Sequence, residues 1–487
     1  MEKKRPLTSG VFQGLRMVYI FVASILVLFM SACSANQATV DQSLPVPEDP
    51  YKSIAPYEGE MSKEVHSVYT GKKEVALTFS GLGDKQMIIQ LLDQLDANNM
   101  KATFFVQGVR VAEDPELARE IVARGHEIEN NTLNRRDMLE LSYIETYREI
   151  DLSNKIIAEE TGVTPKYVRT KSNINNDDVR LATAHAGLDA VVHFSINPQD
   201  WDMKDAETIA DHVATHAQRG SIIMLNADKN PAVIDAIPLI ATKVNELGYQ
   251  IVTLNQLMEH GIEPKPLEEI TGYDAVTTNA NYENVEYNLF DRFETKEKQV
   301  ALTFDDWGSD YKVSQILNIL DNYGIKATFF LRTNNIEANP NLARAIFEAG
   351  HDVANHTYSH PDITKLSPEA LQEEVVRSHQ ILTKAIQAQP LMVFRPPYGT
   401  VDEQSARAVA ATGYKHIALY DVDSEDWVEN TTAEQIETKV LNEAKSGSII
   451  LLHLLDDMET SDALPTIIET LQQRGFSFVK LSEVIDL

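Results

Sequence analysis

The chain of 487 residues has a single cysteine, Cys33, and only three tryptophans. One thiol excludes a disulfide within the chain and any multi-cysteine zinc site, so a metal would have to sit on histidine and carboxylate side chains. Basic residues are also scarce: 43 Lys and Arg stand against 73 Asp and Glu, a formal net charge of −30. That sign repels nucleic-acid phosphate and anionic lipid headgroups, so no nucleic-acid partner is expected. The apolar stretch at residues 17–30 has 14 residues, short of the roughly 20 that a spanning helix needs. What remains is ordinary for a globular protein, 43% hydrophobic and 24% charged, with a length that suits two or three domains.

Lys3, Lys4, Arg5 and Arg16 precede that stretch, and Ser31-Ala32 stand directly before Cys33. A basic flank, a short apolar core and small residues form the order of an export signal. A lone cysteine at the cleavage position resembles the bacterial lipoprotein signal, which implies lipidation of Cys33 as the new N-terminus, although Met30 stands where Leu is usual. Residues 1–33 are therefore read as a signal peptide. The expectation is an exported chain, lipid-anchored to the outer face of the cell membrane and facing the wall. Pro45, Pro47, Pro50 and Pro56 give residues 34–71 the composition of an extended spacer.

Beyond the spacer the sequence is written twice. Val75-Ala-Leu-Thr-Phe79 recurs as Val300-Ala-Leu-Thr-Phe304, and Lys101-Ala-Thr-Phe-Phe105 as Lys326-Ala-Thr-Phe-Phe330, both displaced by 225 positions. Gly220-Ser-Ile-Ile223 answers Gly447-Ser-Ile-Ile450 at a displacement of 227. So small a drift marks a duplicated domain, far longer than a solenoid unit. The copies are placed at residues 72–257 and 296–487. The segment between them, 258–295, carries Tyr273, Tyr282, Tyr287 and Phe290, too aromatic for a free linker, and is expected to pack on one copy.

In the second copy short apolar runs alternate with helical periodicity, beginning with Val300 to Phe304 and then Val313, Ile316, Leu317 and Leu320. Seven or eight such α/β units with near-continuous apolar strands suggest a parallel sheet closed into a barrel, with chemistry at the strand C-terminal ends. Polar residues fall where that rule puts them: Asp305-Asp306, His356 and His360, Arg395, Asp423 and Asp426-Trp427, and His453. The two histidines at i, i+4 on a helical turn would point the same way, and one carboxylate added to them gives three ligands and an open position. Singly, each feature has a plain structural reading. Two adjacent acids cap helices, a lone tryptophan is usually core, and a histidine after an apolar run is usually a satisfied core residue.

The ordered set Thr303-Phe-Asp-Asp306, His356-Thr-Tyr-Ser-His360, Arg395-Pro-Pro-Tyr-Gly399, Asp423-Ser-Glu-Asp-Trp427 and Leu451-Leu-His453 resembles the five motifs of the polysaccharide deacetylases. These form the NodB-homology family, carbohydrate esterase family four. The resemblance covers residues 296–487 with motifs intact and 72–257 in outline. It implies two tandem distorted, incomplete (β/α) barrels of the α/β class and metal-dependent removal of acetyl groups from a glycan. Carried over residue by residue, Asp306, His356 and His360 would hold one divalent metal, most simply Zn2+, and Asp305 would be the general base, oriented by Arg395. His453 would be the general acid, paired to Asp426, with a backbone N–H at Tyr398 for the oxyanion. Trp427 and Leu451 would wall the acetyl pocket. Trp307 stands where the family usually has Gly, which implies a narrowed mouth or an added sugar-stacking surface.

In the first copy the corresponding positions are Ser80, Gly81, Asn131, Arg135 and Asn226, so no metal ligand of the motif survives and no turnover is expected there. Scaffold, dimerising surface and glycan-binding module are the roles left to it. For the whole chain the sequence favours deacetylation of N-acetylated glycans, peptidoglycan or chitin-like oligosaccharides. An O-acetyl xylan or exopolysaccharide esterase and a non-catalytic glycan-binding lipoprotein stand as alternatives. A glycosidase would need two carboxylates across the scissile bond and no metal. The oligomeric state is not encoded in any of these patterns.

Overall fold

Val300, Ala301, Leu302, Thr303 and Phe304 are all fully buried, so side chains on both faces of their strand are covered, the condition of a central parallel strand wrapped by helices. A computed structural model describes residues 49–171, 175–203 and 205–486. The segment read as a signal peptide, Cys33 and the first part of the segment read as spacer lie outside the described residues. From Ala55 onward the chain forms one compact unit containing both copies.

In the second copy the strand Gln299–Asp306 is flanked by Ser448–His453 on one side and Thr328–Leu331 on the other. The sheet continues through Asp352–Asn355, Leu391–Phe394 and His416–Ala418 to Asn288–Phe290, with Val422–Asp423 at the opposite edge. The first sheet repeats the order, from Lys63–Val65 through Ala190–Val192, Tyr167–Val168, Glu127–Asn130, Thr103–Val106 and Glu74–Ser80 to Ile222–Asn226. Among the described residues every strand pairing is parallel. The closed barrel suggested by periodicity is not what forms. Each sheet keeps two edges, and a lone antiparallel bridge reaches across, Ser67 to Ser221 in one copy and Arg292 to Ser448 in the other. Three of the four edge strands, Lys63–Val65, Asn288–Phe290 and Val422–Asp423, have only two or three residues, too few ladder bonds to close either sheet, so the distorted, incomplete form results.

Two of these edge strands extend the sheets beyond the repeat. Lys63–Val65 falls in the segment read as spacer and Asn288–Phe290 in the segment between copies, and at three residues each both are too short to stand out in the sequence. The aromatic segment packs on the second copy. Val276 joins the core around Phe394 and Tyr414, and the Gly272 carbonyl lies 2.8 Å from His379 Nε2.

The copies are joined by buried polar contacts as well as apolar ones. Arg219 pairs with Asp310, both side chains 6% exposed, and donates to Ser314 Oγ at 3.0 Å and to the Gly71 carbonyl at 3.0 Å. Asn341 donates to the Val68 carbonyl at 2.9 Å and the Arg219 carbonyl at 2.7 Å, and accepts from the Thr70 N–H at 3.0 Å. Asp310 opens the helix Asp310–Asn322, directly after the short loop that follows Asp305 and Asp306 at the end of the strand Gln299–Asp306.

Candidate active site

Side-chain alternation sends Phe304 to the core and puts Thr303 and Asp305 on the inner face of the second barrel. Both accept from Arg395 Nη1 at 2.8 Å. The guanidinium is fully buried, also donates to the Ala418 and Leu419 carbonyls, and stacks 4.0 Å from the Phe330 ring centroid. Burial raises the Asp305 pKa against the opposing pull of Arg395 and His453. At Asp306 φ is +77°, a left-handed conformation that costs a residue other than glycine about 1–3 kcal/mol. It brings the second carboxylate into the same cavity as the first.

His356 follows the strand Asp352–Asn355, but the five residues to His360 form a loop and not the helical turn expected from their spacing. Thr357 and His360 have positive φ. Side chains pin the loop: Asn355 accepts from the Thr357 N–H at 2.9 Å, Thr357 Oγ1 from the His360 N–H at 3.0 Å, and Glu374 from Ser359 at 2.8 Å. The two imidazoles end 5.0 Å apart. One atom each of Asp306, His356 and His360 lie within 4.8 Å of one another.

This trio fits a divalent metal. Asp306 Oδ1 is buried without a hydrogen-bond partner and lies 3.6 Å from His360 Nε2. His356 Nδ1 lies 2.8 Å from the Arg395 carbonyl, which assigns the proton to Nδ1 and turns the Nε2 lone pair to the cluster. Burial pulls His356 down to about 3 and lowers His360, so both rings are neutral, the ligating form.

Across the cavity, His453 Nδ1 lies 2.7 Å from Asp426 Oδ1, while Asp426 Oδ2 accepts from the His453 N–H at 2.8 Å and from Thr460 Oγ1 at 2.7 Å. Burial alone would lower the His453 pKa, but the Asp426 hydrogen bond and charge, joined by Asp305 and Asp306, raise it to about 9. Burial pushes Asp426 up, yet the His453 and Thr460 bonds leave it lowered overall. The cavity holds about 250 Å³ and is lined also by Tyr398, Tyr420, Trp427 and Leu451. Trp427 is half exposed and donates from Nε1 to Asp423 at 3.2 Å. The Tyr398 ring meets His360 edge-on at 4.6 Å.

Trp307 departs from expectation. It is 8% exposed and belongs to the hydrophobic core with Phe304 and Leu454, and the cavity lining does not include it. The chain turns at Asp306, so the next side chain leaves the mouth for the interior. Two residues near the cavity had escaped notice. Tyr420 lines it, and Arg332 Nε stands 3.9 Å from Asp306. Arg332 directly follows the strand Thr328–Leu331, so the strand-end rule could have found it.

The first copy keeps the scaffold of this site with different chemistry. Arg169 repeats the contacts of Arg395, to Thr78 Oγ1 at 2.9 Å, Ser80 Oγ at 3.3 Å and the Val192 and His193 carbonyls, over Phe105 at 4.0 Å. Asn131 donates to the Arg169 carbonyl at 2.7 Å, as His356 does to that of Arg395. Asn226 bonds Asp200 at 2.8 Å in the manner of His453 with Asp426. Where Asp306 stands in the second copy the first has Gly81, at φ +93°, and the Asp228 carboxylate fills the space a side chain there would take, within 2.9 Å of an ideal Cβ. Arg135, at the position of His360, lies 3.6 Å from that carboxylate and donates to Asn226 at 3.3 Å, so a guanidinium stands among the groups that answer to the trio.

Comparison with known proteins agrees with the geometry. The family model described as polysaccharide deacetylase matches residues 67–191 and 292–417. A peptidoglycan-N-acetylglucosamine deacetylase of Bacillus cereus is 35% identical over 187 residues, 38% of this chain and 66% of that protein, so the match falls just short of two thirds of its length. A second Bacillus cereus protein of the same name is 33% identical over 192 residues, 39% of this chain and 89% of its own. A solved peptidoglycan N-acetylglucosamine deacetylase, in complex with a naphthyl N-hydroxybenzamide, aligns at 32% identity and a TM-score of 0.39, covering 41% of this chain and 93% of its own. Matched twice, over more than half its length, and along 89% of a relative, the chain belongs to the polysaccharide deacetylase family.

Proposed function

We propose that this protein removes N-linked acetyl groups from a cell-wall glycan, peptidoglycan or a chitin-like chain, at the site of the second copy and with a divalent metal, zinc in the simplest case. The observation that carries the reading is the gathering of Asp306, His356 and His360 about one point, with Asp305 and His453 lining the same cavity. Bound by those three side chains, a divalent metal supplies Lewis-acid polarisation of the acetyl carbonyl.

The remaining work falls to the protein. Asp305, held by Arg395, takes a proton from the attacking water. The water oxygen forms a bond to the acetyl carbon, the carbon–nitrogen bond breaks, and His453 gives its proton to the departing sugar nitrogen. Asp426 fixes the ring through Nδ1, so the proton to be delivered is on Nε2. The Tyr398 N–H would donate to the oxyanion, and Trp427 and Leu451 enclose the methyl group. Residues 296–487 are the catalytic domain in this reading and residues 72–257 a non-catalytic one. With the signal peptide removed, lipidated Cys33 would hold both at the outer face of the cell membrane, beside the wall.

The test is acetate release from N-acetylglucosamine oligomers and from peptidoglycan by residues 34–487, with zinc, with a chelator, and with Asp305→Asn. Release by the zinc-loaded protein, abolished in both controls, is expected. Release from acetylated xylan alone would overturn the N-acetyl assignment. A bound metal with no release from any glycan would favour a binding role.

A further inference from the structure

The geometry points to a second divalent-metal site, built from Glu64, His66 and His193 on the copy that has lost its catalytic residues. Glu64 lies on the edge strand Lys63–Val65, and His193 directly follows the neighbouring strand Ala190–Val192, paired in register with Val65 opposite Val192. Alternation puts Glu64 and His66 on one face of the edge strand. The next pair in register is His66 beside His193, and their rings stack at 4.3 Å.

The ring nitrogens converge on one oxygen. His66 Nε2 lies 3.1 Å and His193 Nε2 3.0 Å from Glu64 Oε1, and the Asn175 amide group lies 2.9 Å from His193 Nε2. An imidazole Nε2 carries either one proton or one lone pair. It cannot both donate to Glu64 and accept from the Asn175 N–H. With Asn175 Nδ2 as donor to His193 Nε2 and to Glu64, the His193 lone pair faces the carboxylate at 3.0 Å, and a cation held between the rings and Glu64 removes that repulsion. His193 is 2% exposed, and burial pulls it down to about 4, so it is neutral near pH 7.

Two imidazoles and a carboxylate suit zinc or a neighbouring transition metal better than calcium or magnesium. The second copy has nothing comparable. The Leu419 N–H donates to the Phe290 carbonyl as the His193 N–H does to that of Val65, so the corresponding residues there are Leu289, Asp291 and Leu419. The site therefore belongs to the first copy alone. An ion there clips a three-residue edge strand to its neighbour through side chains. It sits one residue from the emptied pocket, because the His193 carbonyl accepts from Arg169 at 3.0 Å.

The experiment uses the full-length chain in detergent, stripped with chelator and titrated with Zn2+ by calorimetry, with Co2+ absorption as a second readout. His212→Ala is placed in every protein, since the His212 and His216 rings stack at 4.2 Å on a surface helix and could bind an ion on their own. With His356→Ala and His360→Ala emptying the catalytic cluster, one ion per chain should remain. Adding His66→Ala, at an exposed position that does not threaten folding, should weaken that ion by more than about a hundredfold, beyond the loss of an outer partner. His66→Ala alone should leave acetate release unchanged. No ion in the His356→Ala, His360→Ala chain, or one indifferent to His66→Ala, would overturn the site, whatever the catalytic cluster itself binds.

Discussion

Replacing Arg219 with Leu tests what the first copy does for the second. Arg219 and Asp310 neutralise one another where each side chain is only 6% exposed, and the guanidinium also holds Ser314 and the Gly71 carbonyl. Leu would fill much of the volume but leave the buried Asp310 carboxylate without its guanidinium partner, with the Ser314 hydroxyl still donating to it, which costs about 3–5 kcal/mol. The loss should appear in the helix Asp310–Asn322 and the loop before it. At roughly 1.4 kcal/mol per factor of ten, amide exchange there should quicken by about a hundredfold or more. Mass spectrometry of that peptide, with urea unfolding of the whole chain, measures it. Adding Asp310→Asn removes the stranded charge and should recover a large part of the loss. A decrease below about 1 kcal/mol for Arg219→Leu, or a double variant as unstable as the single one, would refute the argument and leave the joint to apolar contacts.

Asp305→Asn should lower acetate release by about 10²- to 10⁴-fold, the usual worth of a general base, while zinc stoichiometry should stay the same, since the proposal gives the ligand role to Asp306; loss of metal would reverse the two roles. In the metal-free chain the His453 ring should titrate at about 9 by NMR. Because this lies above the ordinary value of 6.5, the pairing with Asp426 contributes fully to stability below about pH 6.5 and is lost as pH rises through about 9. Asp426→Asn should move the ring's midpoint down, and an unmoved midpoint would reject the pairing. Gly81→Ala should destabilise the first copy by about 1–3 kcal/mol, since φ is +93° and the new methyl would press on Asp228; unchanged urea unfolding would show that the loop relaxes freely.

Much of this was legible because the sequence repeats itself and parallel strands are apolar from end to end. The strand run Val300 to Phe304 and the helix around Val313 to Leu320 appear as Gln299–Asp306 and Asp310–Asn322. The acids and histidines at strand ends do converge, because successive parallel strands all point their C-terminal ends to one mouth. What periodicity could not give was backbone geometry set by tertiary contacts. The His356 to His360 loop depends on Glu374, a residue of the following helix Pro368–Ile386. Trp307 is sent inward by a left-handed residue that no propensity predicts. Edge strands of two or three residues carry too few side chains to show any period. The Glu64, His66 and His193 cluster joins residues over a hundred positions apart, through a strand whose composition is that of a spacer.

The buried arginine has a consequence for how this protein can be dissected. Arg169 and Arg395 make parallel bonds in the two copies, yet in the first Ser80 has replaced the carboxylate that faces Arg395 in the second. Burial, with the nearby charge of Arg135, accordingly depresses the Arg169 pKa, and the residue keeps its place without a counter-charge. Its tie across the strands therefore does not depend on hydrolysis, and duplication could discard the reaction while leaving the girder standing. Arg395→Ala would consequently report collapse of the barrel wall as much as any failure of chemistry. The same molecule contains the correction for this: the damage done by Arg169→Ala, in a copy with no motif ligands to disturb, is the architectural part to be subtracted.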